Sequence, residues 1–100
     1  MSIAIFLDEA SLAHRPPDGH PERPARFEAV RRRLDEPDFA SIPRQTPPTA
    51  PRTALERAHP KAYVDFVLGV ERPDGIVMLD ADTAVGPGST LAALKAAGAG

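Results

Sequence analysis

The segment from Ser2 to Leu7 is a nearly continuous apolar run, and it constrains the fold more than any other part of the chain. The run is too short for a helix and Asp8 follows it at once, so it predicts a buried β-strand. A strand that is apolar on both faces needs cover from both sides. It also needs parallel neighbours, which come from crossover units. We therefore expect an α/β fold with a parallel sheet.

Twelve prolines divide the chain into short elements. Residues 8–23 contain three prolines and no hydrophobic period, which predicts a long ordered loop. Pro24 has no backbone N–H, but the first residue of a helix does not need one, so Pro24 can begin a helix. The apolar spacing after it predicts that this helix runs to about Leu34. A short extended piece is expected at residues 42–46, at the edge of a sheet.

The second half of the sequence predicts three helices and one strand. Two helical turns are expected over residues 53–59, followed by a helix that Pro60 begins. This second helix has the clearest apolar face, formed at i, i+3, i+4 and i+7 by Tyr63, Phe66, Val67 and Val70. A strand is expected over residues 75–79, and the segment 87–89 then caps an alanine-rich helix.

Composition restricts the class of protein. Of the 42% hydrophobic residues a large part is alanine, so the core is thin. The chain has no cysteine, which excludes disulfides, thiolate metal sites and a cysteine nucleophile. The net charge of −2 does not favour binding to nucleic acid or anionic lipid. Arg31–Arg33 are consecutive helix positions that point in three directions, so we interpret them as a solvated helix face. No apolar run approaches the ~18 residues of a membrane span, so we expect a soluble cytoplasmic protein.

Two histidines and two carboxylates lie within nine residues: His14, Asp18, His20 and Glu22. Imidazole and carboxylate are ligands that zinc and iron accept. The other interpretation is a polar loop whose side chains bond to the backbone. Spacing alone favours the loop, because no i, i+4 pair and no third ligand fixes a geometry.

Three segments of the chain resemble one known family. Residues 19–27 (GHPERPARF) are similar to the GHPxxPxR entrance motif of the histone deacetylase superfamily, in particular its bacterial acetoin-utilisation and acetylpolyamine amidohydrolase branches. Residues 55–64 (LERAHPKAYV) resemble the family segment LxxVHxxxYV. Residues 79–83 (LDADT), followed by PGS at 87–89, resemble its LDxDTxxSPGS stretch. The three segments occur in the family's order and cover nearly the whole chain.

The resemblance implies a zinc-dependent amidohydrolase that acts on acetylated lysine or polyamine substrates. It implies that residues 1–100 are the N-terminal portion of an arginase/deacetylase-like three-layer α/β fold, incomplete in this chain. In such enzymes a metal-activated water attacks the acetyl carbonyl. The ligands come from an Asp-x-His motif and a further Asp, and the acid and base from a His-His pair. Neither motif occurs here.

We therefore predict zinc in the full-length family but none bound by this chain alone, and no catalytic residue within it. As partners we expect the missing C-terminal portion or a second copy of the chain, with no nucleic acid and no membrane. By resemblance, Arg26 matches the arginine of the inner cavity where acetate is accommodated. His20 and Pro21 belong to a tunnel wall, and Asp82 lies on a rim loop where it accepts hydrogen bonds from substrate. A second interpretation of Asp82, as a cap for the following segment, stays open.

Two other functions remain as alternatives. The chain can be a non-catalytic interaction fragment, because uncovered apolar strands and faces bind partners readily. Asp80 and Asp82 after an apolar strand also resemble the nucleophile motif of haloacid-dehalogenase phosphatases, although Ala84 stands near the place where that motif has glycine and threonine. For His59 the favoured role is a helix cap, and for Tyr63 a place in the core.

Overall fold

A computed structural model describes residues 3–100, so Ser2, the first residue of the predicted strand, lies outside the described residues. Strand β1 (Ile5–Phe6) pairs in parallel with β2 (Arg44–Gln45), which confirms the predicted parallel neighbour. Both strands are shorter than predicted, and the prediction of a buried strand was wrong for β1 within residues 3–100, because Phe6 is 38% exposed and β1 has one neighbouring strand. Pro43 and Pro47 flank β2 and have no N–H to continue the ladder, so the pairing stops after two residues.

The four helices lie close to their predicted positions. Helix α1 (Pro24–Leu34) has the predicted bounds, with Pro24 in its first turn. Helices α2 (Arg52–Glu56) and α3 (Lys61–Gly69) follow each other, and Pro60 is the residue before α3. Helix α4 (Ser89–Ala99) is the predicted alanine-rich helix.

The predicted loop over residues 8–23 was wrong in its first part. A 3-10 helix occupies Glu9–Ala13, because the Asp8 side chain accepts the Ala10 N–H at 2.8 Å and caps its start. Residues 14–23 are irregular, as predicted, and are called the GHP loop below. A second 3-10 helix, Pro37–Phe39, follows α1.

An antiparallel hairpin precedes α4. Strand β3 (Val77–Met78) lies within the predicted strand and pairs with β4 (Ala84–Val85), a strand that was not predicted. The Leu79 N–H donates to the Thr83 carbonyl at 2.8 Å and closes the turn. The described residues thus contain two separate two-stranded sheets, one of them antiparallel.

Few side chains are buried, as the thin apolar composition predicts. The buried apolar residues of the described chain are small, namely Ala50, Val64, Ala84, Val85 and Ala92. The radius of gyration is 15.1 Å, whereas a compact domain of this length has about 13 Å. The described residues therefore form a thin, open layer rather than a closed globule.

The prediction that Tyr63 lies in the core was wrong. Tyr63 and Phe66 on α3 are each more than half exposed, at 52% and 56%, while Val64 is 4% exposed. The predicted apolar face was misplaced, because the buried residue of α3 is Val64, one position after Tyr63 and outside the predicted set at 63, 66, 67 and 70. Tyr63 instead packs beside the His59 ring, with 5.3 Å between ring centroids.

Hydrogen bonds hold helix α4 to the rest of the chain at its start and near its middle. The Glu71 carboxylate accepts the Thr90 N–H at 2.7 Å, and this bond holds the pKa of Glu71 below its usual value. Further along, the Leu94 carbonyl accepts the Ala50 N–H at 3.0 Å. Among residues 3–100 no helix is long and apolar enough to cross a membrane.

Candidate functional site

The GHP loop begins against the turn that leads from β4 into α4. Gly88 in that turn has a φ of +91°, a left-handed conformation that favours glycine. A Cβ atom at Gly88 would lie 2.6 Å from the Cβ of Ala13, so only glycine allows the two segments to approach this closely. The contact brings His14, the first residue of the loop, to the start of α4.

His14 bridges the loop and α4. Its Nδ1 lies 2.7 Å from the Ser89 hydroxyl, and its Nε2 lies 3.2 Å from a carboxylate oxygen of Glu22. The Ser89 hydroxyl also accepts the N–H of Gly86 at 2.8 Å. Ser89 is 6% exposed, so this part of the network is shielded from water.

A serine, a histidine and a carboxylate joined in this order can activate a serine nucleophile. Here the Ser89 hydroxyl already accepts one N–H and is buried. The first N–H groups of α4, which could stabilise an oxyanion, are also engaged. That of Ser89 donates to Gly86, and that of Thr90 to Glu71. We therefore interpret the network as a structural bridge rather than a nucleophilic site.

His20 binds the β3–β4 turn at the other end of the loop. Its Nε2 lies 2.7 Å from the carbonyl oxygen of Asp82, and its Nδ1 accepts the Glu22 N–H at 3.0 Å. In the same turn the Asp80 carboxylate accepts the Asp82 N–H at 2.8 Å. That bond, with further help from the Thr83 hydroxyl, holds the pKa of Asp80 below its usual value.

A cavity of about 620 Å³ lies between the GHP loop, helices α1, α3 and α4, and the hairpin. Most of its lining is apolar, and Arg23 and Arg26 bring positive charge to it. Arg26 makes no ion pair within residues 3–100, whereas Arg31 on the same helix pairs with Glu28 at 2.8 Å. The two arginines of α1 therefore differ in their surroundings. Arg26 lines the cavity, and Arg31 is bound to a carboxylate.

The predicted site residues fall into two places. His20 and Asp82 are joined directly, and Pro21 lies beside them as an exposed loop residue. Arg26 lines the cavity, and the other three residues do not. Sequence analysis missed the roles of Ser89 and of the His14–Glu22 pair. Their contacts join residues up to 75 positions apart, for which one sequence carries no signal.

A catalytic zinc ion has three protein ligands. The described chain brings together no three His, Asp or Glu side chains that could hold a metal. His14 and Glu22 form the closest pair, but the second ring nitrogen of His14 is bound to Ser89. Residues 3–100 therefore do not fit a catalytic zinc site.

The Asp80–Asp82 turn also bears on the phosphatase alternative. That alternative requires the first carboxylate, Asp80, to act as a nucleophile. The structure has Asp80 and Asp82 in the turn of an antiparallel hairpin, where the Asp80 carboxylate is bonded to the Asp82 N–H. This placement argues against the phosphatase.

The fold is similar to the crystal structure of the HD domain of HDA15, a histone deacetylase, with a TM-score of 0.80. The match covers 98% of this chain and 29% of that chain, at 24% sequence identity. This chain and the matched part of the HDA15 HD domain share one fold. It spans less than a third of the HDA15 chain that it matches.

Comparison with protein-family models gave no match, and comparison with curated proteins gave none either. The similarity to HDA15 confirms the predicted deacetylase-like α/β fold for this part of such a domain. The complete three-layer arrangement and the bacterial subfamily stay predictions.

Proposed function

We propose that this chain forms part of the substrate pocket of a deacetylase-like domain that hydrolyses acetylated lysine or polyamine amides. The observation that carries the proposal is the match of 98% of the chain to part of the HDA15 HD domain. The GHPxxPxR-like residues lie on the loop beside the cavity of that same structure. We propose that the zinc ligands and the catalytic histidines come from residues outside this sequence.

Arg26 would bind the acetate product. Arg26 lines the cavity, and its guanidinium has no carboxylate partner among the described residues, so its hydrogen-bond donors remain available. A guanidinium can hold a carboxylate through two parallel hydrogen bonds. The exposed Asp82 carboxylate would accept hydrogen bonds from the substrate backbone, and His20 and Pro21 would line the tunnel next to it.

A chimera tests this function. The matching segment of the HDA15 HD domain is replaced by this chain, and hydrolysis of an acetyl-lysine peptide is measured. We expect a folded, active chimera in which Arg26→Ala raises the acetate concentration needed for product inhibition by about tenfold or more, because the charge-assisted hydrogen bonds to the acetate carboxylate are lost. The matched control is Arg32→Ala, a substitution on the same helix at an exposed residue that does not line the cavity.

Two outcomes would contradict the proposal. One is equal inhibition of the Arg26 and Arg32 variants by acetate. The other is a chimera that does not fold or hydrolyse the substrate. A folded but inactive chimera would favour the second candidate, a non-catalytic interaction fragment. That candidate rests on the exposed apolar side chains of Ile3, Val30, Phe66 and Leu91.

A further inference from the structure

The two ring nitrogens of His20 have different roles, and these define its tautomer. The Glu22 N–H can only donate, so Nδ1, which accepts it at 3.0 Å, carries no proton. The carbonyl oxygen of Asp82 can only accept, so Nε2, at 2.7 Å, must carry the proton. The ring is thereby fixed as the neutral Nε2–H tautomer, in one orientation.

This ring holds an otherwise weakly anchored turn. Asp82 lies in the exposed connection between β3 and β4, strands of two residues each. Its backbone is bound on both sides, because the Asp80 carboxylate accepts its N–H at 2.8 Å and His20 donates to its carbonyl. Of these two contacts only the second comes from outside the hairpin. Without it, the turn would depend on local bonds alone.

We propose that His20 is a positioning residue that sets the place of the Asp82 carboxylate at the pocket rim. This proposal rests on the proposed function only in the role that it gives to Asp82. The contact itself is a property of the chain. His20 touches no reacting atom and acts through the Asp82 backbone, and the Glu22 N–H keeps the ring turned toward that backbone.

The experiment uses the 100-residue chain and two variants, His20→Phe and His20→Gln. Phenylalanine keeps the ring volume without a donor, and the glutamine side-chain amide can reach the position of Nε2. Hydrogen exchange at the Asp82 amide reports opening of the turn. We expect exchange about fivefold faster in His20→Phe, since one exposed hydrogen bond is lost, and a rate within about twofold of the original in His20→Gln. The His59 amide, which donates to Leu55 in α2, is the internal reference and should not change.

The ¹⁵N spectrum of the imidazole supplies a second readout, which shows which ring nitrogen carries the proton. A histidine that only filled space would have no fixed tautomer. We expect the Nε2–H tautomer for His20 in the unmodified chain. An Nδ1–H tautomer, an unchanged Asp82 exchange rate in His20→Phe, or equal acceleration in both variants would overturn the proposal. If His20→Phe does not fold, the proposal is still tested by the tautomer of His20 and by the exchange rate of the Asp82 amide in His20→Gln. None of these readouts depends on hydrolysis, so they stay separate from the failure or success of the chimera.

Discussion

Replacement of Gly98 by alanine is expected to lower the free energy of unfolding by more than about 3 kcal/mol, enough to unfold much of a marginally stable chain. Gly98 lies near the end of α4, where a Cβ atom would overlap the Pro48 carbonyl oxygen and lie 2.8 Å from the Pro48 carbonyl carbon. These are backbone atoms, so a side-chain rotation cannot relieve the overlap. The segment is also tied to α4 by the hydrogen bond from Ala50 to Leu94.

The matched control is Gly69→Ala in helix α3. A Cβ atom at Gly69 meets nothing within 4 Å, so the substitution should be neutral or stabilising by up to about 1 kcal/mol. Helix propensity alone would favour alanine at both glycines. The contact with Pro48 is therefore the reason to expect that Gly98→Ala destabilises the chain while Gly69→Ala does not. Urea denaturation followed by circular dichroism measures both. A Gly98→Ala chain as stable as the original would contradict the described packing of α4.

Replacement of Ser89 by alanine is expected to cost about 2–4 kcal/mol, because two groups lose their partner at once. The Gly86 N–H donates to the Ser89 hydroxyl from a buried position, and the His14 ring is bound to the same hydroxyl. Alanine leaves the Gly86 N–H and the Nδ1 of His14 without a protein partner. The start of the GHP loop would also lose its side-chain link to α4, so amide exchange within residues 14–23 should accelerate.

Ser41→Ala provides the control for loss of a hydroxyl. Ser41 is exposed, and its hydroxyl makes no hydrogen bond within the described residues, so the free energy of unfolding should change by less than about 0.5 kcal/mol. The two serine variants are compared by urea denaturation at neutral pH. Equal stabilities would show that the His14–Ser89 bridge does not hold the loop.

Local sequence signals predicted most of the regular structure. Pro24 and the apolar spacing after it define α1, since both the φ of proline and the helical period act over a few residues. The hairpin strand β4 was missed because Ala84 and Val85 are too short a pair to show a period. The 3-10 helix was missed because its signal is the Asp8 cap alone.

The candidate site could be predicted only in part, for a different reason. The GHPxxPxR-like motif identified His20 and Arg26 as site residues by resemblance, but their environments depend on tertiary contacts. His20 meets Asp82 from 62 positions away, and His14 meets Ser89 from 75. Burial of Tyr63 was predicted wrongly, because the apolar spacing at 63, 66, 67 and 70 leaves out Val64, the residue of α3 that is buried.

The exposed apolar residues and the surroundings of Arg26 both bear on the proposed function. Val64, which lies outside the predicted apolar face of α3, is buried within the described residues, while Phe66 of that face stays open. Arg26 has a cavity beside it but no metal site. These observations support the function proposed above, in which the chain would contribute pocket wall and product contacts and the metal would be held elsewhere in such a domain.

Zinc binding and turnover by the purified chain test this interpretation most directly. The chain is dialysed against zinc, its metal content is measured by mass spectrometry, and hydrolysis of an acetyl-lysine peptide is followed in parallel. We expect no stoichiometric zinc and no turnover above the buffer rate, because residues 3–100 gather no three ligands. One tightly bound zinc ion per chain together with hydrolysis of the peptide would contradict the interpretation.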